Sequence, residues 1–469
     1  MTEMLHHWVT REANRRPDAP AVVLGEEHLS YGELETLSNQ LARALRERGC
    51  VRGDRVALLV PQSPLAIVCL LGIYKSDCIY VPLDQAAPAA QLARVIAASG
   101  ARCLLASASV APRVRELLAQ PGLPNLRIGW LGNPDLSQGI LPSAFRFSDI
   151  VALPGTPLPS AYRAQDAAHI FFAVGDDGET RGVVSTHANI VTGIDWALRH
   201  FRINETDRVA GHTTLSQGSS LFDIFASLGA GAELHLVPPE VKLLPGRLAA
   251  WIRTSAITQW ASASAVLHNM AEFDVVQAWD FLELRRVIWS GDTLPIKALA
   301  YWMKQLPHVQ FTKFYGAPES GITTGYHTVA TYPEQEGEEL PIGKAMDGSE
   351  ILLLDHNFQP VASGETGQLY VRGAALSPGY WQDHDSTARA FPELDGFGRS
   401  YRTGDLGRRG HDGHLYHAGR SELSNPQAAS ETPVRGGWRA WDEFIDEAGD
   451  IDLRRFKDAW THDGIDPAR

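Results

Sequence analysis

Apolar and polar positions along the first 110 residues switch between two periods, as helices and strands do when they are taken in turn. Leu34, Leu37, Leu41 and Leu45 keep a helical spacing. The helix they define opens at Ser30 with Glu33 three residues on, a capping box, and stops at Gly49. Val56-Ala57-Leu58-Leu59-Val60 predicts a buried strand, Pro64 opens the next helix, and Ile79-Tyr80-Val81-Pro82 predicts a strand ending at its proline. A helix over 91–98 and a strand over 101–105 repeat the unit. This alternation predicts an α/β fold with a mostly parallel sheet. The Pro-rich stretch 153–160 reads as a surface connection, after which the alternation resumes at His169 and runs to about Tyr326. Short strands, turn residues and glycines then fill 351–416. The expected organisation is an α/β core over 1–350, built of two related subdomains of mixed or parallel sheet that meet near 153–166. A smaller β-rich subdomain over 351–420 and a divergent segment over 421–469 follow it. In that last segment 421–437 is polar and turn-rich, and 438–460 is charged and reads as a helix.

A chain of 469 residues exceeds one simple core and suits two to four packed subdomains. Apolar residues at 44% and charged residues at 21% are ordinary for a globular protein and exclude wholesale disorder. The formal charge of −13 disfavours nucleic acid and anionic lipid as partners, and no basic stripe interleaved with aromatics offsets it. Cys50, Cys69, Cys78 and Cys103 lie in apolar stretches without the spacing of a metal knuckle, so buried thiols are expected. The N-terminus has no apolar signal core, and the longest apolar run, 65–74, is too short to span a bilayer. A cytoplasmic protein is the expectation.

Seven segments carry a family resemblance. Leu29-Ser30-Tyr31-Gly32-Glu33-Leu34 and Tyr80-Val81-Pro82-Leu83-Asp84 come first, and Tyr315-Gly316-Ala317-Pro318-Glu319 follows. Leu340-Pro341-Ile342-Gly343, Gly364-Glu365-Thr366-Gly367-Gln368-Leu369, Tyr401-Arg402-Thr403-Gly404-Asp405-Leu406 and Gly419-Arg420 complete the order. Over 29–420 the chain resembles the adenylate-forming superfamily, most closely the adenylation domains of nonribosomal peptide synthetases. The resemblance implies an AMP- or ATP-type nucleotide as ligand, bound through Tyr315, Gly316, Glu319, Asp405 and Arg420. Asp405 would accept the ribose hydroxyls on its two oxygens. Arg420 would lie near the same ribose, and Tyr315 would stack on adenine. Glu319 would hold magnesium against the phosphates. The competing reading makes Asp405 a loop carboxylate that caps a turn.

The chain departs from the family pattern at three places. The family's phosphate loop is rich in serine, threonine and glycine and ends in proline, lysine, glycine, so that hydroxyls and backbone N–H groups cradle the phosphates. Here the segment reads Ala173-Val174-Gly175-Asp176-Asp177-Gly178-Glu179-Thr180-Arg181. Gly175 and Gly178 keep a tight turn, but Val174, Asp176 and Asp177 replace hydroxyls and Arg181 replaces the lysine. At an effective dielectric near 20, like charges about 4 Å apart repel by roughly 4 kcal/mol. Each lost charge-assisted hydrogen bond removes roughly 1.5–3 kcal/mol more. The alternative is a solvated loop whose carboxylates share magnesium with phosphate. In the acid pocket (Gly218, Ser219, Phe222 and Gly291) the family's amine-anchoring aspartate falls at Gly218, which disfavours an α-amino acid. The family's C-terminal domain, with its catalytic lysine, would follow Arg420, but 421–469 carries no segment like the lysine motif. Val434-Arg435-Gly436-Gly437-Trp438-Arg439 is at most a remnant of the next motif, and Lys457 has the wrong neighbours. A truncated C-terminal domain with no assignable catalytic residue is the expectation.

Three readings follow. The leading one is a degenerate adenylation-domain homologue of natural-product biosynthesis, with its adenosine pocket kept and ATP-dependent acid activation lost or strongly weakened, its cleft serving binding or another reaction. The second is a working ligase that adenylates an aryl, keto or hydroxy acid for a carrier protein or CoA. The third is an interaction protein whose Trp438, Trp441 and Trp460 dock on a biosynthetic partner.

Overall fold

The computed structural model describes residues 3–132, 141–174, 180–291, 293–332 and 339–421. The expected helix over 438–460, Lys457 and the rest of the C-terminal segment lie outside the described residues.

The predicted capping box forms. Ser30 Oγ accepts from Glu33 N at 3.2 Å, and Glu33 Oε2 accepts from Ser30 N at 2.8 Å, which opens helix Tyr31–Glu47. Gly49, at φ +79, ends it. The apolar run at 65–74 becomes helix Pro64–Lys75, buried on every side and N-capped by Ser63. Among the described residues no helix is long and apolar enough to cross a membrane.

Two large sheets organise the chain. The first has nine strands in the order Lys344–Ala345, Gly325–Thr328, Gln310–Tyr315, Arg286–Ser290, Gln259–Ala263, Arg208–Gly211, Glu233–Leu236, Pro20–Leu24 and Glu27–Ser30. Its interior pairs are parallel, and antiparallel strands close both edges. The second has eight, in the order Gly379–Tyr380, Thr180–Thr186, Ala167–Val174, Ile79–Pro82, Arg55–Leu59, Cys103–Ser107, Arg127–Leu131 and Phe145–Arg146. The connection at 153–160 therefore joins two strands of this same sheet, while the first sheet takes strands from both sides of it.

Side chains alternate between layers, as a parallel strand buried on both faces requires. Val56 and Leu58 enter the central core between the sheets, with Leu41, Tyr74, Ile194 and Phe225. Ala57 and Leu59 face an outer core with Leu104 and Trp130. In the first sheet Ile288 joins the central core, while Val287 and Trp289 turn to a second outer core around Trp260 and Trp302. A third sheet, antiparallel throughout, contains Ser349–Leu354, Thr366–Gly373, Tyr401–Arg409 and Leu415–Arg420. It is tied to the first sheet's edge where Ile342 N donates to Leu415 O at 2.7 Å.

Candidate nucleotide and acid site

Parallel strands leave their loops at the carboxyl ends, and open α/β sheets bind ligands there. Gln310–Tyr315 delivers Tyr315 to that edge, and the chain then folds back, with Thr324 N donating to Tyr315 O at 2.8 Å. A Cβ on Gly316 would stand 3.1 Å from Thr324 N, so only glycine leaves this return undisturbed.

The third sheet brings Asp405 across to meet Tyr315. The Tyr315 hydroxyl donates to Asp405 Oδ2 at 2.7 Å. Oδ1 takes Arg420 Nε at 3.3 Å, and His417 Nε2 lies 3.4 Å from it. Asp405 and Arg420 are register partners on adjacent strands, which fixes the pair through the backbone. Burial would raise the Asp405 carboxyl, but hydrogen bonds from His417 and Tyr315 and the charges of His417 and Arg420 outweigh it and hold it below the usual range. Burial first, then Asp405, pushes the Tyr315 hydroxyl well up. Asp405 is thus an ionised acceptor at neutral pH, half-buried, with exposed donors on one side.

Glu319 lies in the short turn Pro318–Ser320 and is fully buried. Its Oε1 accepts from the Tyr380 hydroxyl at 2.9 Å, and its carbonyl accepts from Ser377 N at 2.9 Å. Tyr380 belongs to a two-residue strand paired with Thr180–Thr186, and Trp381 N donates to Gly182 O at 2.7 Å. The structure therefore joins Glu319 to the stem of the phosphate-loop hairpin. Arg181 pairs with Ala173 in that stem. Burial, then Glu319, raises the Tyr380 hydroxyl, while the charge of Arg181 opposes. Gly175, Asp176, Asp177 and Gly178 lie outside the described residues. Among the described residues no three His, Cys, Asp or Glu side chains converge as a metal cage. A nucleotide-bound magnesium needs only one or two carboxylates besides phosphate oxygens, so Glu319 fits as one of them.

On the acid side, Gly218 and Ser219 precede helix Ser220–Ala230, and Phe222 on that helix meets Phe314 edge-on at 5.6 Å. Phe314 precedes Tyr315 on the same strand and turns to the opposite face, into the central core, while Tyr315 packs against the cluster of Ile342 and Leu369. A Cβ on Gly218 would meet nothing within 4 Å. Gly291, at φ +88 and exposed, follows the central strand Arg286–Ser290.

Sequence reasoning passes over four residues here. Tyr380 sits in a two-residue strand too short for any periodicity, and His417 touches Asp405 only through sheet pairing. Phe314 carries a signal, since it abuts the Tyr315 motif. Asp223 is 1% exposed; burial pushes its carboxyl up to about 7 against the Thr213 N–H, which it accepts at 3.2 Å, and the charge of Lys242.

A parallel-sheet core with an antiparallel cap and an aromatic-carboxylate pair at its carboxyl edge defines an α/β protein of the nucleotide-binding class. The chain belongs to the AMP-binding enzyme family, which matches residues 9–381. It is 28% identical to syringomycin synthase SyrB1 of Pseudomonas syringae pv. syringae over 89% of this chain and 65% of that protein. It is 29% identical to pyochelin synthetase PchE of Pseudomonas aeruginosa, over 89% of this chain and 27% of that one. The chain thus spans less than two thirds of these relatives. Among solved structures, the nonribosomal peptide synthetase FmoA3 bound to alpha-methyl-L-serine-AMP superposes with TM-score 0.79 at 25% identity, over 90% of this chain and 45% of that one. The N-terminal subdomain of Klebsiella oxytoca NpsA, at 21% identity and TM-score 0.74 over 89% of this chain and 100% of that one, shares the fold.

Proposed function

We propose that this chain is an adenylation-type domain of natural-product assembly that holds the adenosine end of a nucleotide or acyl adenylate and activates acids with ATP only weakly. The observation that carries the reading is a mismatch between two halves of one site. Tyr315, Asp405 and Arg420, the set that the resemblance gives to the nucleoside, are bonded together, whereas the segment that resembles the phosphate loop reads Asp176 and Asp177 in place of hydroxyls. Glu319 is the residue to hold magnesium, which would neutralise phosphate charge when bound. The acid lacks an α-amine, because Gly218 offers no counter-ion, and a carrier protein is the natural acceptor for a domain of this kind.

The open space around Gly218 favours a second reading, a working ligase for an aryl, keto or hydroxy acid. Pyrophosphate exchange over a broad acid panel, with Mg-ATP calorimetry on the wild type and on Asp176→Ser/Asp177→Thr, separates the two. Weak exchange, and ATP binding that tightens in the double variant, supports the first. Robust exchange, with no gain on substitution, replaces it with the second.

A further inference from the structure

His417 and Arg420 lie three apart on strand Leu415–Arg420, a spacing that sends side chains to opposite faces of a regular sheet. Both nevertheless reach Asp405, and a β-bulge is the reason. Asp405 pairs with Arg420 and Gly407 with His417, so a step of two residues on one strand faces a step of three on the other. Gly419, at φ +106, takes the left-handed backbone inside the bulge. His417 Nε2 then stands 3.4 Å from Asp405 Oδ1, beside Arg420 Nε at 3.3 Å. Gly419 N donates to His417 Nδ1 at 3.3 Å, which makes Nδ1 the acceptor and leaves the ring proton on Nε2, facing the carboxylate. A carboxylate offers about two acceptor sites on each oxygen. Oδ2 has given one to the Tyr315 hydroxyl at 2.7 Å and keeps one open. Oδ1 has a donor facing each of its two.

We propose that His417 gates the ribose site: in the empty protein it holds the place on Asp405 Oδ1 that a ribose hydroxyl needs, and it swings off when a ribonucleoside binds. This rests on the assignment of Asp405 to ribose under Proposed function. Two neighbouring hydroxyls call for one site on each carboxylate oxygen, so one donor must leave Oδ1. Both candidates are exposed, and solvent can receive either. Arg420 stays, because it brings a full charge to the carboxylate and faces Asp405 directly across the two strands. The imidazole N–H stands farther off and is the weaker donor, so His417 yields. A nucleoside with one hydroxyl at this place needs no such move, since the open site on Oδ2 is enough. His417 therefore weakens the binding of ribonucleosides and spares 2′-deoxyribonucleosides, which sets how sharply the cleft tells the two apart.

The test is calorimetry of the whole chain with adenosine and with 2′-deoxyadenosine, neither of which carries a phosphate to meet the loop at 173–181. His417→Phe, which keeps a ring, and His417→Ala, which does not, are run beside the wild type and Asp405→Asn. Both His417 variants should bind adenosine about two- to fivefold tighter, the range of an exposed polar pair, and 2′-deoxyadenosine as the wild type does. A role for His417 in mere packing would move the two ligands together. Equal gains for both ligands, or weaker adenosine binding in both variants, overturn the gate. Adenosine affinity that falls in Asp405→Asn but ignores His417 overturns the gate alone and leaves Asp405 on the ribose. Adenosine that does not bind, or binds alike to wild type and Asp405→Asn, removes Asp405 from the ribose and the gate with it.

Discussion

Replacing Asp405 with asparagine keeps the shape of the side chain and removes its charge. In the wild type one carboxylate oxygen takes the Tyr315 hydroxyl at 2.7 Å, and the other faces Arg420 at 3.3 Å and His417 at 3.4 Å. The amide must present an N–H₂ to one of those sides, where the free protein loses little because Arg420 and His417 are exposed. The bound ribose loses more. A hydrogen bond to a charged acceptor contributes about 1.5–3 kcal/mol against about 0.5–1.5 for a neutral one, so two hydroxyls forfeit about 2–3 kcal/mol. That corresponds to a roughly 30- to 150-fold weaker dissociation constant for AMP. Isothermal titration of wild type and Asp405→Asn with AMP at neutral pH reads it directly. The carboxyl is held below its usual range, so the wild-type carboxylate persists, and its contribution stays level, down to about pH 4. Equal AMP affinity in the two proteins would sink the assignment of Asp405 to the ribose.

Two further outcomes follow from burial and open space. Gly218→Asp meets no atom at its Cβ and needs no left-handed backbone, so the melting temperature should hold within about 2 °C. An aminoacyl-adenylate analogue should bind about tenfold or more tighter through the new ion pair, and calorimetry showing no gain would remove Gly218 from the acid site. Asp223, raised to about 7 from 3.8, keeps in the folded state a proton that the unfolded chain gives up. Stability therefore falls as pH rises from about 4 to about 7 and then levels, by about 4 kcal/mol at roughly 1.4 kcal/mol per pKa unit. Urea denaturation of Asp223→Asn at pH 4.5 and pH 8 should show that difference shrink, and an unchanged difference would refute the assignment.

The helices and strands of the first 110 residues are legible because each apolar run has a local terminator: Ser30 with Glu33, Gly49, Pro64 and Pro82. The order of strands is not. Pro20–Leu24 pairs with Glu233–Leu236, some 210 residues away, and no periodicity encodes a partner at that distance. Asp405 stands out because its whole hexapeptide is intact and Tyr315 because its motif is kept in part, yet their mutual hydrogen bond depends on how the third sheet docks.

The stem below the phosphate loop carries one more consequence. Ala167–Val174 and Thr180–Thr186 are held in register up to Val174 and Thr180, and Gly379–Tyr380 fastens the stem from its other side. The stem thus takes its register from pairing on both of its flanks, so a change at Tyr380 would reach the base of that loop through its partner Val183.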